Sequence, residues 1–236
     1  MKKIIIGLLT ITFFPFLYGQ KISNVDFDEI KFEIQNSQSN YYYPLLIERF
    51  LDFDTSFTET EFRYIYYGSI YSDYYSPYRT SDNEKRFIEK FNQKKFEEAI
   101  PYGNEVLKEN PVNLRFLFRM FICYQELHDI TTAYQYASMY YPLLNVILHS
   151  GDGRSKQTAF VVVSVSDEYV MLNELELTWT TQALSGRTDI FTVKRKGEVE
   201  PIIIEKKGKK SKRGQTNSES IYFDVSKPME TLQRLF

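Results

Sequence analysis

The chain has 236 residues, a formal net charge of -2 and one cysteine, and 17% of its residues are aromatic. The acidic balance removes the electrostatic reason to expect nucleic acid. A single cysteine excludes an intramolecular disulfide and the usual cysteine–histidine zinc sites, so the fold must rest on packing.

The first residues read MKKIIIGLLTITFFPFLYGQ. Lys2 and Lys3 give a positive start, Ile4 to Leu17 are mostly apolar, and Gly19 supplies the small residue before Gln20. That is the layout of a secretory signal peptide over 1–19, and the apolar run is too short and too early to span a bilayer. No cysteine follows for lipid attachment. The expectation is a periplasmic or secreted protein with no stable membrane span once the leader is cleaved. What remains is long enough for one large domain or two small ones.

Residues 20–150 read as helical. Asn24 can cap a first helix whose acids Asp26, Asp28 and Glu29 suit its positive end, with Phe27, Ile30 and Ile34 on one face. A second helix is expected from Pro44 to Leu51, the proline sitting early where its missing N–H does no harm. Thr58 and Glu61 form a capping box ahead of FRYIYYGSIYSDYYSPY, residues 62–78. Phe62, Ile65, Tyr66, Ser69 and Ile70 fall at helical spacing and should face inward. Tyr64, Tyr67 and Tyr71 form a neighbouring stripe whose hydroxyls would reach water or a partner. Ser76 and Pro77 end this helix and leave DYYSPY as a loop. Two readings of the rings stand side by side, a core with a tyrosine rim and a binding platform.

Residues 82–148 carry the clearest helical periodicity. FNQKKFEEAIPYGNEVLKENP resembles the second helix and exit turn of a tetratricopeptide repeat, with Ala99 and Pro111 at that motif's positions. Ala133 follows Ala99 by one repeat period, and Leu117 and Tyr124 stand where large side chains are expected. Small residues let paired helices approach closely. Phe121 and Tyr140 depart from the pattern, and the second repeat lacks its terminal proline. Cys123 reads as a small buried apolar residue.

Gly151 and Gly153 mark a turn, and residues 151–236 read as β-rich with a short C-terminal helix. TAFVVVSVSDEYVMLNELEL suits two strands broken at SDE. Further strands are expected at Ile190–Lys194, Pro201–Glu205 and Ile221–Val225, with a helix after Pro228. The fold class is therefore α+β, with N-terminal helical hairpins packed against a mainly antiparallel β region. Nothing near residue 150 reads as a long linker, so the two parts can form one integrated domain.

Taken together, YYYPLLIERFLDFDTSFTETEFRYIYYG, YSPY, GDGRSKQTAFVVVSVSDEY and IYFDVSK resemble an uncharacterised domain family of exported Bacteroidota proteins. The resemblance implies an envelope location and one integrated architecture, and it supplies no activity and no catalytic residue. The tetratricopeptide likeness implies protein binding by analogy of fold alone.

No complete catalytic or metal constellation is present, and no cofactor is expected. Asp52 and Asp54 could act as an acid–base pair or hold a cation, yet the glycine and ordered oxygen ligands of a calcium loop are missing. His128 reads as a helix-end residue. His149 with Asp152, and the hydroxyls of Ser150 or Ser155, offer parts of a hydrolase site without a separate oxyanion-stabilising group. The surfaces that stand out are aromatic and basic. Tyr74, Tyr75 and Tyr78 form an exposed aromatic set, and Lys206, Lys207, Lys209, Lys210, Lys212 and Arg213 form a basic loop suited to an anionic surface component. The reading that follows is a non-catalytic envelope protein that binds another protein or a surface component, or plays a structural part. The alternative is an envelope hydrolase using His149/Asp152 or Asp52/Asp54. The oligomeric state is left open.

Overall fold

The computed structural model describes residues 25–78, 80–196 and 219–233. It is α+β, with helices leading and a four-stranded sheet on the C-terminal side. The expected strand at Pro201–Glu205, the basic loop from Lys206 to Arg213, and Asn24 lie outside the described residues.

Helix α1 spans Phe27–Gln35 and is capped by Asp26, whose carboxylate accepts from the amides of Asp28 and Glu29; Ile30 and Ile34 are buried. Helix α2, Tyr43–Leu51, carries its proline in the first turn and buries Leu46 and Phe50. Helix α3, Glu59–Gly68, begins with the complete Thr58/Glu61 capping box and runs into a single 3-10 turn over Ser69–Tyr71.

Two helical hairpins follow. The first joins α4, Asp82–Asn92, to α5, Phe96–Glu109, and the second joins α6, Leu114–Glu126, to α7, Ile130–Leu148. Both hairpins turn in the same way. Lys94 and His128 sit at φ 58° and 61°, and in each case the next amide reaches back to a carbonyl inside the preceding helix (Lys95 to Lys90, Asp129 to Tyr124). This is the helix-ending turn that glycine usually serves, made here by residues with side chains. The two turns, like Ala99 and Ala133, lie thirty-four residues apart, and both alanines are buried. Gly103 explains the close approach of α4, α5 and α6, since a Cβ there would collide with the Met120 sulfur and the Phe87 ring.

The C-terminal part departs from the sequence expectation. Only Phe160–Val161 forms strand β1, and Val165–Glu174 is a helix, α8. The run of valines and the alternation around SVSDEY suggested strands. What decides is the Ser164 cap and the acids Asp167 and Glu168 in the first turn, which suit a helix N-terminus. Asp167, Glu168, Met171 and Leu172 are buried on one helical face. Strand β2, Leu177–Ser185, had not been expected and pairs antiparallel with β3, Thr188–Arg195, across the two-residue turn of Gly186 and Arg187. Strand β4 covers Glu219–Asp224, and helix α9 covers Ser226–Gln233. The strand order is β1-β4-β3-β2, with β1 parallel to β4 and the other neighbours antiparallel.

One apolar core runs through both parts. It includes Ile65, Phe87, Leu114 and Leu143 from the helices and Val162, Met171, Phe191 and Phe223 from the C-terminal side. The tyrosines of α3 belong to it, and this corrects the expectation that their hydroxyls face water or a partner. Tyr64, Tyr66 and Tyr67 are buried, and each hydroxyl donates within the protein. Tyr64 donates to Glu29 (3.0 Å), Tyr66 to Asp167 (2.7 Å) and Tyr67 to the Val161 carbonyl (3.2 Å). Tyr71 and Tyr75 donate to the carbonyls of Phe27 (2.9 Å) and Val163 (2.6 Å). A helix edged with tyrosine is thus bonded to α1 on one side and to β1 and α8 on the other.

Tyr66 has the most to lose, because its oxygen also accepts from the Val163 amide at 3.3 Å. Tyr66→Phe leaves the buried Val163 N–H without its acceptor and takes the phenol donor from the buried Asp167 carboxyl, and is expected to lower stability by roughly 2 to 3 kcal/mol in urea denaturation. Tyr64→Phe, whose partner Glu29 can turn to water, is expected to cost about 1 kcal/mol or less.

Candidate functional site

Two adjoining clefts open where the aromatic loop meets the hairpins and the start of α8. The larger, of about 170 Å³, is bounded by Tyr75 to Tyr78, by Asn113 and Arg115 at the start of α6, and by Ser164, Ser166 and Asp167 at the start of α8. The smaller, of about 140 Å³, lies beside Asp73, Tyr74, Ser81 and Glu109. Tyr75, Ser76, Glu84 and Asn110 line both. The clefts therefore share a wall.

Local chemistry builds each wall. The Tyr75 ring is half-buried, and its hydroxyl on Val163 ties the loop to the strand. Its neighbours remain outside, Tyr74 at 70% and Tyr78 at 43% exposure. Ser81 caps α4 by accepting from the Glu84 amide (3.2 Å), which sets Glu84 at the cleft floor. Glu84 pairs with Arg115 at 3.1 Å, and burial raises its carboxyl above the ordinary value. Arg119 lies one turn deeper over the rings of Phe91 and Phe116. Burial and the neighbouring Arg115 lower its pKa. The turn between α5 and α6 closes with the Asn113 amide on the Asn110 carbonyl (3.2 Å). The Asn113 side chain then caps α6 by accepting from the Phe116 amide (3.3 Å).

Behind the larger cleft lies a buried acidic group. Asp167 is 2% exposed and Glu168 is 0% exposed, and Asp189 of β3 is buried nearby at 8%. Asp189 is held by the Gln182 amide at 2.8 Å. Burial pushes Asp167 up to about 7, against the opposing pull of the Tyr66 hydroxyl. Burial, reinforced by the charges of Asp189 and Asp167, pushes Glu168 up to about 9. Both Glu168 oxygens are buried without a hydrogen-bond partner among the described residues. The same charges reach Tyr78, whose phenol is raised first by burial and then by Glu168 and Asp189. At neutral pH Glu168 is therefore a neutral acid, because an unpaired charge in that setting is too unfavourable.

The sequence had singled out Tyr74, Tyr75 and Tyr78, and the structure brings them together at these clefts. It had not singled out Glu84, Arg115 or the start of α8. The pattern Ser164-x-x-Asp167 was the available signal, hidden because SDE was read as the break between two strands. The other candidates serve local structure. The His149 ring meets Glu59 at 2.7 Å on the surface, and Asp152 accepts from the Arg154 amide within its own turn (3.0 Å). Ser150 donates to Ile147 and accepts from the Val161 amide, and Ser155 caps the turn at Lys156–Thr158. Asp54 is bonded to Arg49 at 2.7 Å and to the Ser56 amide at 2.8 Å, while Asp52 ends α2. His128 occupies the left-handed turn after α6. Cys123 is buried, and burial pushes its thiol up to about 12, well away from nucleophilic use. Among the described residues no group of three or more acids, histidines or cysteines could hold a metal ion.

The buried acids make stability depend on pH with a definite sign. Glu168 holds its proton more tightly folded than unfolded, so its contribution is full below about 4.5 and is lost as pH rises through about 9. Asp167 acts in the same direction up to about 7. Thermal melts from pH 5 to pH 9 should show a falling midpoint. Glu168→Gln, which keeps the shape of the neutral acid, should flatten much of that fall.

Compared with curated proteins and with solved structures, the chain has no match. The family model of a domain of unknown function, DUF4919, matches residues 28–205, a stretch that includes the aromatic loop, both hairpins and α8. More than half of the sequence is thereby covered, and the chain belongs to that family.

Proposed function

We propose that this is an exported, non-catalytic binding protein of the bacterial envelope, and that the paired clefts beside the aromatic loop are its recognition site. One observation carries the reading. The Tyr75 hydroxyl pins the loop to Val163 while its neighbours Tyr74 and Tyr78 stay exposed at the rims of the two clefts. Exposed tyrosines on a fixed loop lose little conformational freedom on binding, and so make efficient contacts. Export rests on the sequence of 1–19, and the envelope setting on the resemblance to exported Bacteroidota proteins. Among the described residues no helix is long and apolar enough to cross a membrane. The hairpins, with their tetratricopeptide-like spacing of Ala99 and Ala133, serve as the rigid frame that holds the clefts open. The basic run from Lys206 to Arg213 adds a second, salt-sensitive contact to an anionic surface component.

The double substitution Tyr74→Ala/Tyr78→Ala should abolish retention of solubilised envelope material on the immobilised mature protein. The melting temperature should shift by only a few degrees, because both rings are substantially exposed. A folded double variant with full retention would reject the reading.

A further inference from the structure

The shape and lining of the two clefts narrow the class of ligand, given the reading that they form the recognition site. Each is small. Pockets for whole drug-sized ligands run to roughly 300–1,000 Å³, whereas these hold about 170 and 140 Å³. They adjoin, sharing Tyr75, Ser76, Glu84 and Asn110. Two small neighbouring cavities with a common wall suit successive units of a chain-like ligand better than one compact molecule.

The walls favour one kind of chain. A peptide that docks by adding a strand needs free backbone groups at a sheet edge, and Val161 and Val163, which reach this site, offer none. The amide and carbonyl of Val163 are bonded to Tyr66 and Tyr75, and those of Val161 to Ser150 and Tyr67. An anionic chain meets Asp73, Glu84 and Glu109 against one lining arginine among the described residues, Arg115, which Glu84 already pairs. What the walls do provide is hydroxyls, amides and carboxylates that can accept from or donate to many ligand hydroxyls. At the rims, the rings of Tyr74 and Tyr78 are exposed, and a tyrosine ring has a flat apolar face against which a sugar ring can stack.

We propose that the paired clefts bind an uncharged oligosaccharide, with adjacent sugar units on either side of the Tyr75–Ser76 wall and ring faces stacked on Tyr74 and Tyr78. The carboxylates of Glu84 and Glu109 and the Asn110 amide take the sugar hydroxyls.

The test uses the mature chain labelled with nitrogen-15 and three uncharged probes, the trimers of N-acetylglucosamine, glucose and mannose. A galacturonate trimer serves as the anionic comparison and a Gly-Ser hexapeptide as the peptide. At least one neutral trimer should shift the amide signals of Tyr74 to Ser76, Tyr78, Asn110, Val112 and Asn113 in the millimolar range. Asn110→Ala, an exposed position shared by both clefts, should weaken that binding roughly tenfold. Trp179→Ala, on β2, should leave it unchanged. Silence at these residues with all three neutral trimers overturns the proposal, as does tighter binding there by the galacturonate trimer or the peptide. If envelope material is still retained through Tyr74 and Tyr78 in that case, the recognition site stands and only the ligand class falls. If retention is lost as well, both fall.

Discussion

The structure depends on tyrosine hydroxyls that leave one helix and end on the polar groups of other segments. Tyr66 is the centre of this arrangement, donating to Asp167 and accepting from the amide of Val163. A phenol can do this because it carries a large apolar ring to the core and a hydrogen-bonding tip beyond it. The ring contributes burial to the helical half, and the oxygen satisfies polar groups at the start of α8. Without it, the Val163 amide that follows β1 would be buried with no acceptor, and the Asp167 carboxyl in the first turn of α8 would lose its phenol donor. Helices and sheet share one apolar core, and the clefts form at the seam where they meet.

That seam also explains the unusual acids. Asp167 and Glu168 stand in the first turn of α8, where the helix end favours negative charge, yet both are buried. Asp167 finds a phenol and Glu168 finds no partner among the described residues. The helix terminus and the burial pull in opposite directions. For Glu168 the burial wins, as its displacement to about 9 shows. Next to Asp167 in the wall of the larger cleft there thus stands a carboxyl that keeps its proton at neutral pH.

Much of this could be read from the residues, in uneven measure. The Thr58/Glu61 box, the early proline of α2, the DYYSPY loop and the four-helix stretch from Asp82 to Leu148 were legible because local rules fix them. Strand β3, most of β4 and the final helix were legible by alternation and by Pro228. Helix α8 was misread because its valines and alternating polar residues mimic strands over a short span, and only the distant Tyr66 shows why Asp167 can be buried. Strand β2 escaped because Leu177–Ser185 is exposed along almost all its length, so no apolar stripe marks it. Tyr74 and Tyr78 were visible as surface residues, whereas Tyr75, read as one of the same exposed set, is half-buried because its hydroxyl reaches the Val163 carbonyl. Their companions Glu84, Arg115 and Asp167 were not visible, since they come from three elements that only tertiary packing brings together.

The acceptors chosen by Tyr67, Tyr71 and Tyr75 are main-chain carbonyls, of Val161, Phe27 and Val163. A carbonyl belongs to the backbone, so substitutions at those three positions leave the hydrogen bond available as long as the chain path holds. What a substitution there does change is packing, since Val163 is buried and Phe27 meets the Tyr67 ring edge-on.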